Sequence, residues 1–172
     1  MAAASRPKAS DKQAILKKLF PILKKQYKSS VPKYEMPVLE TLIYGVCLED
    51  ASHEQADAAQ ERMDELFHDY NEMRVSSITE LNQIFEGMDS PDLRSLRIRS
   101  ILHHVFEDNY EFEFEGLKRK TLELATKQLN KIRDLSPFIK NFALQVALGS
   151  HLVPIDEAMN APAKWLGLVE LD

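Results

Sequence analysis

The chain has one cysteine, Cys47, in 172 residues. That excludes an intrachain disulfide framework, a multi-cysteine zinc site and a protein-held iron–sulfur cluster. Its five glycines are too few for a turn-rich all-β chain, and the abundance of Leu, Ala, Glu and Lys favours helices. No apolar run approaches the ~20 residues that cross a bilayer, so no membrane partner is expected. The opening MAAASRPKASDKQ lacks the apolar stretch of a signal peptide, and a soluble cytoplasmic protein is the expectation. With 44% hydrophobic and 28% charged residues, extended disorder is excluded and a sizeable core can form.

Positive charge is scarce in the body of the chain and concentrated at its start. Residues 1–36 hold nine Lys/Arg against two acids, while residues 37–91 hold thirteen carboxylates against Arg62 and Arg74. Basic residues return in 92–133, with nine Lys/Arg and seven acids. A nucleic acid would be drawn to the basic arm (Lys17, Lys18, Lys24, Lys25, Lys28) and to parts of this third segment. The same charges equally suit a solvated helical surface.

Helical periodicity runs through nearly the whole chain and predicts about eight helices. After a frayed start, Asp11 caps a basic helix carrying Ile15, Leu16, Leu19, Phe20, Ile22 and Leu23, which Pro21 kinks or splits. Residues 29–37 read as a loop, and 38–48 (VLETLIYGVCL) as a short buried helix. Ser52 opens an amphipathic helix with Ala56, Ala59, Met63, Leu66, Phe67 and Tyr70 on one face. Ser77 and Glu80 form a capping box ahead of Leu81, Ile84 and Phe85, stopped near Gly87. Ser90-Pro91 starts the next helix. EDNYEFEFEG is the best strand candidate, although an extended connector suits it better. Helices over 116–132 and 137–148 follow, then Gly149 and a last helix from Asp156 to just before Gly167. Trp165, Phe106, Phe112, Phe114, Phe138 and Phe142 are assigned mostly to the core. Adjacent His103 and His104 on a helix point about 100° apart and cannot readily share one ion. His53 and His68 lack ligand spacing, and no metal site is expected. His151 is read as a loop residue close to any pocket that forms beside Asp156.

Residues 117–169 carry the most information: helix, short turn at Arg133–Ser136, apolar helix, Gly149, then Pro154-Ile155-Asp156 and another helix. Their order and spacing resemble the helix-hairpin-helix DNA glycosylase superfamily, which contains endonuclease III and the adenine glycosylases. That family joins two helices by a hairpin of the form L-P-G-V-G and places an aspartate seven residues past a later glycine. Here Asp156 lies seven residues past Gly149, and the hairpin falls on Ile132-Arg133-Asp134-Leu135-Ser136. WLGLVE (165–170), LETLIYGVCLEDASHEQADAAQERMDELF and ITELNQIFEGM followed by DLRSLRIRSIL extend the likeness over roughly 38–170. Divergent bacterial relatives of endonuclease III are particularly similar.

The resemblance implies an all-α fold, a helix-hairpin-helix glycosylase-like bundle with a shortened C-terminal lobe. It divides the chain into a basic N-terminal arm, 1–36, and an endonuclease III-like helical domain, 37–172, with its hairpin near 132–138. It implies double-stranded DNA, damaged or abasic, as partner and a nucleoid-associated location; the family's cysteine cluster is absent here, and no cofactor is expected. The DNA-contacting set would be Leu135, Ser136, Phe138, Lys140 and Glu49, with Asp156 catalytic. Amides at the start of the second helix would hold a phosphate, the target base would be flipped out, and the carboxylate would stabilise the sugar cation or activate water.

Several positions depart from the pattern. Asp134 and Ser136 replace the hairpin glycines, and Asp134 puts negative charge where a phosphate should lie. Pro137 removes one amide donor. The Schiff-base lysine position falls on Phe138, and Lys140 lies about 200° further round the helix. Glu49 stands where the family has the glutamine that fills the gap left by the flipped base. If active, the chain is therefore a monofunctional DNA N-glycosylase, a hydrolase rather than a lyase. The alternatives are a catalytically inactive DNA-binding or protein-interaction scaffold, and an architectural likeness only, with the acidic face binding protein. Asp156 and Ser136 also have plain readings as helix N-caps.

Overall fold

Residues 38–48 are apolar on nearly every side, and a helix of that kind is buried on nearly every side. In the computed structural model, which describes residues 8–27 and 34–169, this helix is the centre of the fold. The described residues form nine α-helices, two 3-10 helices and no strand. They belong to two compact units, Tyr34–Ile155 and a second built from Met1–Lys33 with Asp156–Asp172. No helix is long and apolar enough to cross a membrane.

In the larger unit, α2 (Val38–Leu48) buries every residue except Glu40. Against it pack α3 (His53–Leu66), α6 (Pro91–Asn109) and α8 (Pro137–Leu148). The α2–α8 contact is close because Gly45 has no side chain: a Cβ there would lie 3.2 Å from Phe142 Cδ1 and 3.3 Å from Ile139 Cγ2. Tyr34, Tyr44, Phe142 and Phe138 pack ring against ring along the same seam. The unit is completed by α4 (Tyr70–Val75), α5 (Ile78–Leu81) running into a 3-10 helix over Asn82–Phe85, a second 3-10 helix over Glu115–Arg119, and α7 (Leu122–Leu129).

A buried helix cannot leave its end groups to water, so they must find partners in the protein. At the start of α2, Pro37 offers no capping side chain. Glu115, 77 residues away, accepts from the Val38 N–H at 2.6 Å and is paired with Lys118 at 2.7 Å. Burial pushes the Glu115 carboxyl up, but Lys118 and that N–H together hold it below the usual carboxylate range. At the other end all four terminal carbonyls are satisfied. Gly45 and Leu48 accept from Glu49 N and Ala51 N at 3.1 and 3.2 Å. Val46 and Cys47 accept from Arg94 Nη1 at 2.5 and 3.2 Å.

Several boundaries differ from the sequence expectation. The helix opened by Ser52 ends at Leu66, and Leu66 is exposed. Asp69 then caps the separate α4 by accepting from Glu72 N at 2.7 Å, so Tyr70 begins a new helix. Short polar side chains compete with the helix backbone in this way and punctuate an otherwise periodic pattern. The helix expected over 116–132 is shorter: Thr121 caps it, and α7 covers only Leu122–Leu129. Ser90 precedes Pro91 at the start of α6, but with a left-handed φ of 53° it makes no side-chain cap bond. The EDNYEFEFEG segment contains no strand. The capping box at Ser77 and Glu80 forms, and α8 spans the expected 137–148, ended by Gly149 at φ 61°.

In the smaller unit, α1 (Ala9–Gln26) runs through Pro21 without a break. Proline removes one N–H donor, and the remaining turns on either side carry the helix. The N-cap is Lys8, and Asp11 lies in the first turn, accepting from Lys8 N at 3.1 Å. The second described helix of this unit is α9 (Glu157–Trp165). Trp165, expected in the core, is 86% exposed. It ends a nine-residue helix that buries none of its residues, so no core is there to receive it. The expected frayed start, Lys28, residues 29–33 of the expected loop and Glu170 of WLGLVE lie outside the described residues.

The buried groups give the fold a pH dependence. Burial raises the Cys47 thiol from 9.0 to about 12, despite Arg94 and Arg62 nearby. Burial, then the charges of Glu40 and Asp64, raise Tyr70 from 10.0 to about 12. Both groups hold protons more tightly folded than unfolded, so their contribution is whole below about pH 9 and is lost as pH climbs to about 12. The urea midpoint is expected to fall across that window, and Cys47 in the native protein to resist alkylation at pH 9. A flat midpoint between pH 9 and 12 would contradict this.

Candidate functional site

The hairpin lies between α7 and α8. After Leu129 the chain tightens through Lys131 N to Gln128 O and Ile132 N to Leu129 O, both 3.1 Å. Ile132 is buried and anchors the turn. Asp134 then adopts φ 60°, the left-handed region. Glycine enters that region without steric cost, and aspartate is among the few other residues that tolerate it. Asp134 stands at the first hairpin position where the sequence pattern calls for glycine. An aspartate makes the left-handed turn here.

Ser136 is the N-cap of α8: its Oγ accepts from Ile139 N at 3.1 Å, and Pro137 occupies the first turn. The amides of Leu135, Ser136 and Phe138 donate to no acceptor among the described residues. They stand at the positive end of a twelve-residue helix, which is the arrangement that receives an anion. The exposed side chains of Lys131 and Arg133 flank the turn and Asp134 adds one carboxylate.

Phe138 places its backbone and side chain in different settings. The side chain is 7% exposed and stacks on Phe142 with ring centroids 6.3 Å apart and planes 4° from parallel. It belongs to the core, and only its N–H is available to a ligand. Lys140 donates from Nζ to Asn130 Oδ1 at 3.0 Å and ties the first turns of α8 to the end of α7.

Glu49, just after α2, is ion-paired with Arg97 Nη1. The same guanidinium donates from Nε to Asp134 O at 3.2 Å, so Arg97 connects the α2 terminus to the hairpin. Arg94, one turn earlier on α6, donates to Glu49 O at 2.6 Å and Asp89 O at 2.8 Å besides its two bonds to the end of α2. Burial pushes the Arg94 guanidinium below its ordinary value, and the carbonyls around it take up its donors. Residues 49 and 134 therefore share one rigid framework, set by two arginines that the sequence reading passed over. The available signal was positional. Arg94 lies on the same stripe as Ile98, Ile101, Leu102 and Val105, and an arginine on a buried stripe needs buried acceptors.

Asp156 belongs to the smaller unit. Its Oδ1 accepts from Met159 N at 2.8 Å, the N-cap bond of α9. His151 is exposed in the irregular link before it. His53 Nε2 and Tyr34 Oη are hydrogen-bonded at 2.7 Å. Among the described residues no group of three or more His, Cys, Asp or Glu could hold a metal ion.

No known family model matches the chain, and neither does any curated protein. Among solved structures, it is similar to the chain of a non-covalent Endonuclease III–DNA complex, with a TM-score of 0.68 and 18% sequence identity. The match covers 94% of this chain and 71% of that one. At that identity the likeness concerns the fold. The fold is all-α and endonuclease III-like.

Proposed function

We propose that this chain is a duplex-DNA-binding protein of base-excision type that seats a phosphate on the hairpin before α8. The observation carrying this reading is the left-handed turn at Asp134 followed by the unengaged amides of Leu135, Ser136 and Phe138. The likeness to a chain solved on DNA supports it. In the active form of the proposal, the target nucleotide leaves the stack. Asp156 then stabilises the positive charge on the sugar as the glycosidic bond breaks, or takes a proton from the attacking water. Its N-cap bond to Met159 N engages Oδ1 and leaves Oδ2 for that role. With Phe138 in the lysine position no Schiff base forms, and the reaction stops once water has replaced the base at the sugar carbon and the free base has left.

A second reading, a DNA-binding scaffold without chemistry, is favoured by the Asp134 carboxylate. Its charge opposes a phosphate beside the turn. Asp134→Gly is expected to tighten duplex binding about fivefold, the ~1 kcal/mol worth of a unit charge a few ångström away in water. Thermal stability should change little, since glycine accepts φ 60°. Unchanged or weaker binding would place the phosphate elsewhere.

Fluorescence anisotropy with an intact duplex and one carrying a stable abasic analogue, at two salt concentrations, tests the proposal. Preference for the abasic duplex, weakening with salt, supports a repair protein. A single-turnover excision screen with Asp156→Asn as control then separates the two forms. Excision lost in Asp156→Asn supports the glycosylase, and equal salt-sensitive binding without excision supports the scaffold. Absence of binding at low salt would defeat both.

A further inference from the structure

A cleft of about 590 Å³ opens in the larger unit, walled by the end of α4, the middle of α6 and Arg133 of the hairpin. Three arginines, Arg74, Arg99 and Arg133, line it together with His103 and His104. Glu107 is the one carboxylate among the lining residues, 75% exposed and 4.0 Å from His103 Nδ1. In a chain of net charge −5, three arginines converging with so little negative charge is a concentrated positive field.

One of the arginines, Arg74, is also held in place. Arg74 donates from Nε and Nη2 to Asn71 Oδ1 at 3.3 and 2.8 Å, and its guanidinium lies 4.2 Å from the centre of the Phe106 ring. A neutral amide and an aromatic face fix its position without neutralising it. Arg99 is half-buried and Arg133 exposed, and neither is ion-paired with a carboxylate among the described residues. Three arginines from three elements, α4, α6 and the α7–α8 turn, match a group with several oxygens and more than one negative charge. Phosphate has those properties, whereas a single carboxylate would leave most of the positive charge unbalanced.

We propose that this cleft is a phosphate-binding site, distinct from the amides at the start of α8. Because Arg133 adjoins the hairpin turn, the phosphate comes either from a nucleic-acid backbone or from a free polyphosphate or nucleotide. The cleft does not require the hairpin reading to hold.

The test titrates inorganic pyrophosphate into the full chain by calorimetry at low ionic strength, using the wild type, Arg99→Gln and, as a control outside the cleft, Lys127→Gln. Saturable binding is expected, weakened about tenfold or more in Arg99→Gln by loss of a charge-assisted contact, and unchanged in Lys127→Gln. A melting curve checks that Arg99→Gln remains folded. Absence of saturable binding by the wild type, or equal binding by Arg99→Gln, overturns the proposal. Binding of an oligoglutamate peptide in place of pyrophosphate would overturn it in favour of an acidic protein partner. Repeating the duplex titration with pyrophosphate in excess then identifies the source. Competition assigns a nucleic-acid backbone and independence a free phosphate, and both sustain the site. Failure of duplex binding with pyrophosphate binding intact would defeat the DNA reading alone.

Discussion

Arg94→Met is expected to destabilise the protein by about 3–5 kcal/mol, the usual result of removing a buried charged hydrogen-bonding partner. Arg94 is 4% exposed, and its guanidinium serves four carbonyls: Val46, Cys47, Glu49 and Asp89. Methionine fills a similar volume, so a cavity is not the main loss. What remains are the buried carbonyls of Val46 and Cys47 at the end of α2, each costing on the order of 1–3 kcal/mol when orphaned, and the part-buried carbonyls of Glu49 and Asp89. Arg94→Lys keeps the charge but replaces a planar five-donor fork with one ammonium, which cannot span acceptors from three points in the chain. It should recover only part of the loss. Urea denaturation at pH 7 measures both, with the midpoint moving and the slope preserved. A shift under 1 kcal/mol in Arg94→Met would mean that those carbonyls find other donors. Arg94 also holds residue 49 through its bond to Glu49 O.

Phe138→Lys is expected to lose a comparable amount, about 3–5 kcal/mol, for a different reason. The substitution supplies the lysine that lyases of the resembling family carry at this position. Here the side chain packs in the core and stacks on Phe142, where an ammonium would be desolvated. The variant should therefore fold poorly and gain no Schiff-base chemistry. Denaturation reads the first effect, and borohydride trapping on abasic duplex reads the second, with no covalent adduct expected from wild type or variant. A stably folded Phe138→Lys that traps an adduct would show that residue 138 reaches the DNA side after all.

The elements legible in the sequence are those whose determinants are local. The 137–148 helix is bounded by Ser136-Pro137 and Gly149, a cap and a left-handed stop that need only their neighbours in the chain. The Ser77–Glu80 capping box and the nearly all-round apolarity of 38–48 are of the same kind. The elements read wrongly turn on competition that periodicity does not register. Asp69 ends one helix and starts another, Thr121 delays α7, and Ser90 takes a left-handed backbone in place of a cap.

By itself, the sequence determined the all-helical class, the buried helix over 38–48 and the bounds of the 137–148 helix, since hydrophobic period and capping chemistry act over one or two turns. Only the tertiary structure decided the chemistry of the site. It set the direction of Phe138 into the core, the left-handed turn at Asp134, and the use of Arg94 and Arg97 to bind residue 49 to its surroundings. It also brought Arg74, Arg99 and Arg133 to one cleft. Those contacts join residues tens of positions apart. They exist because buried carbonyls and guanidinium groups must find partners once water is gone, a demand that arises only when the chain is packed.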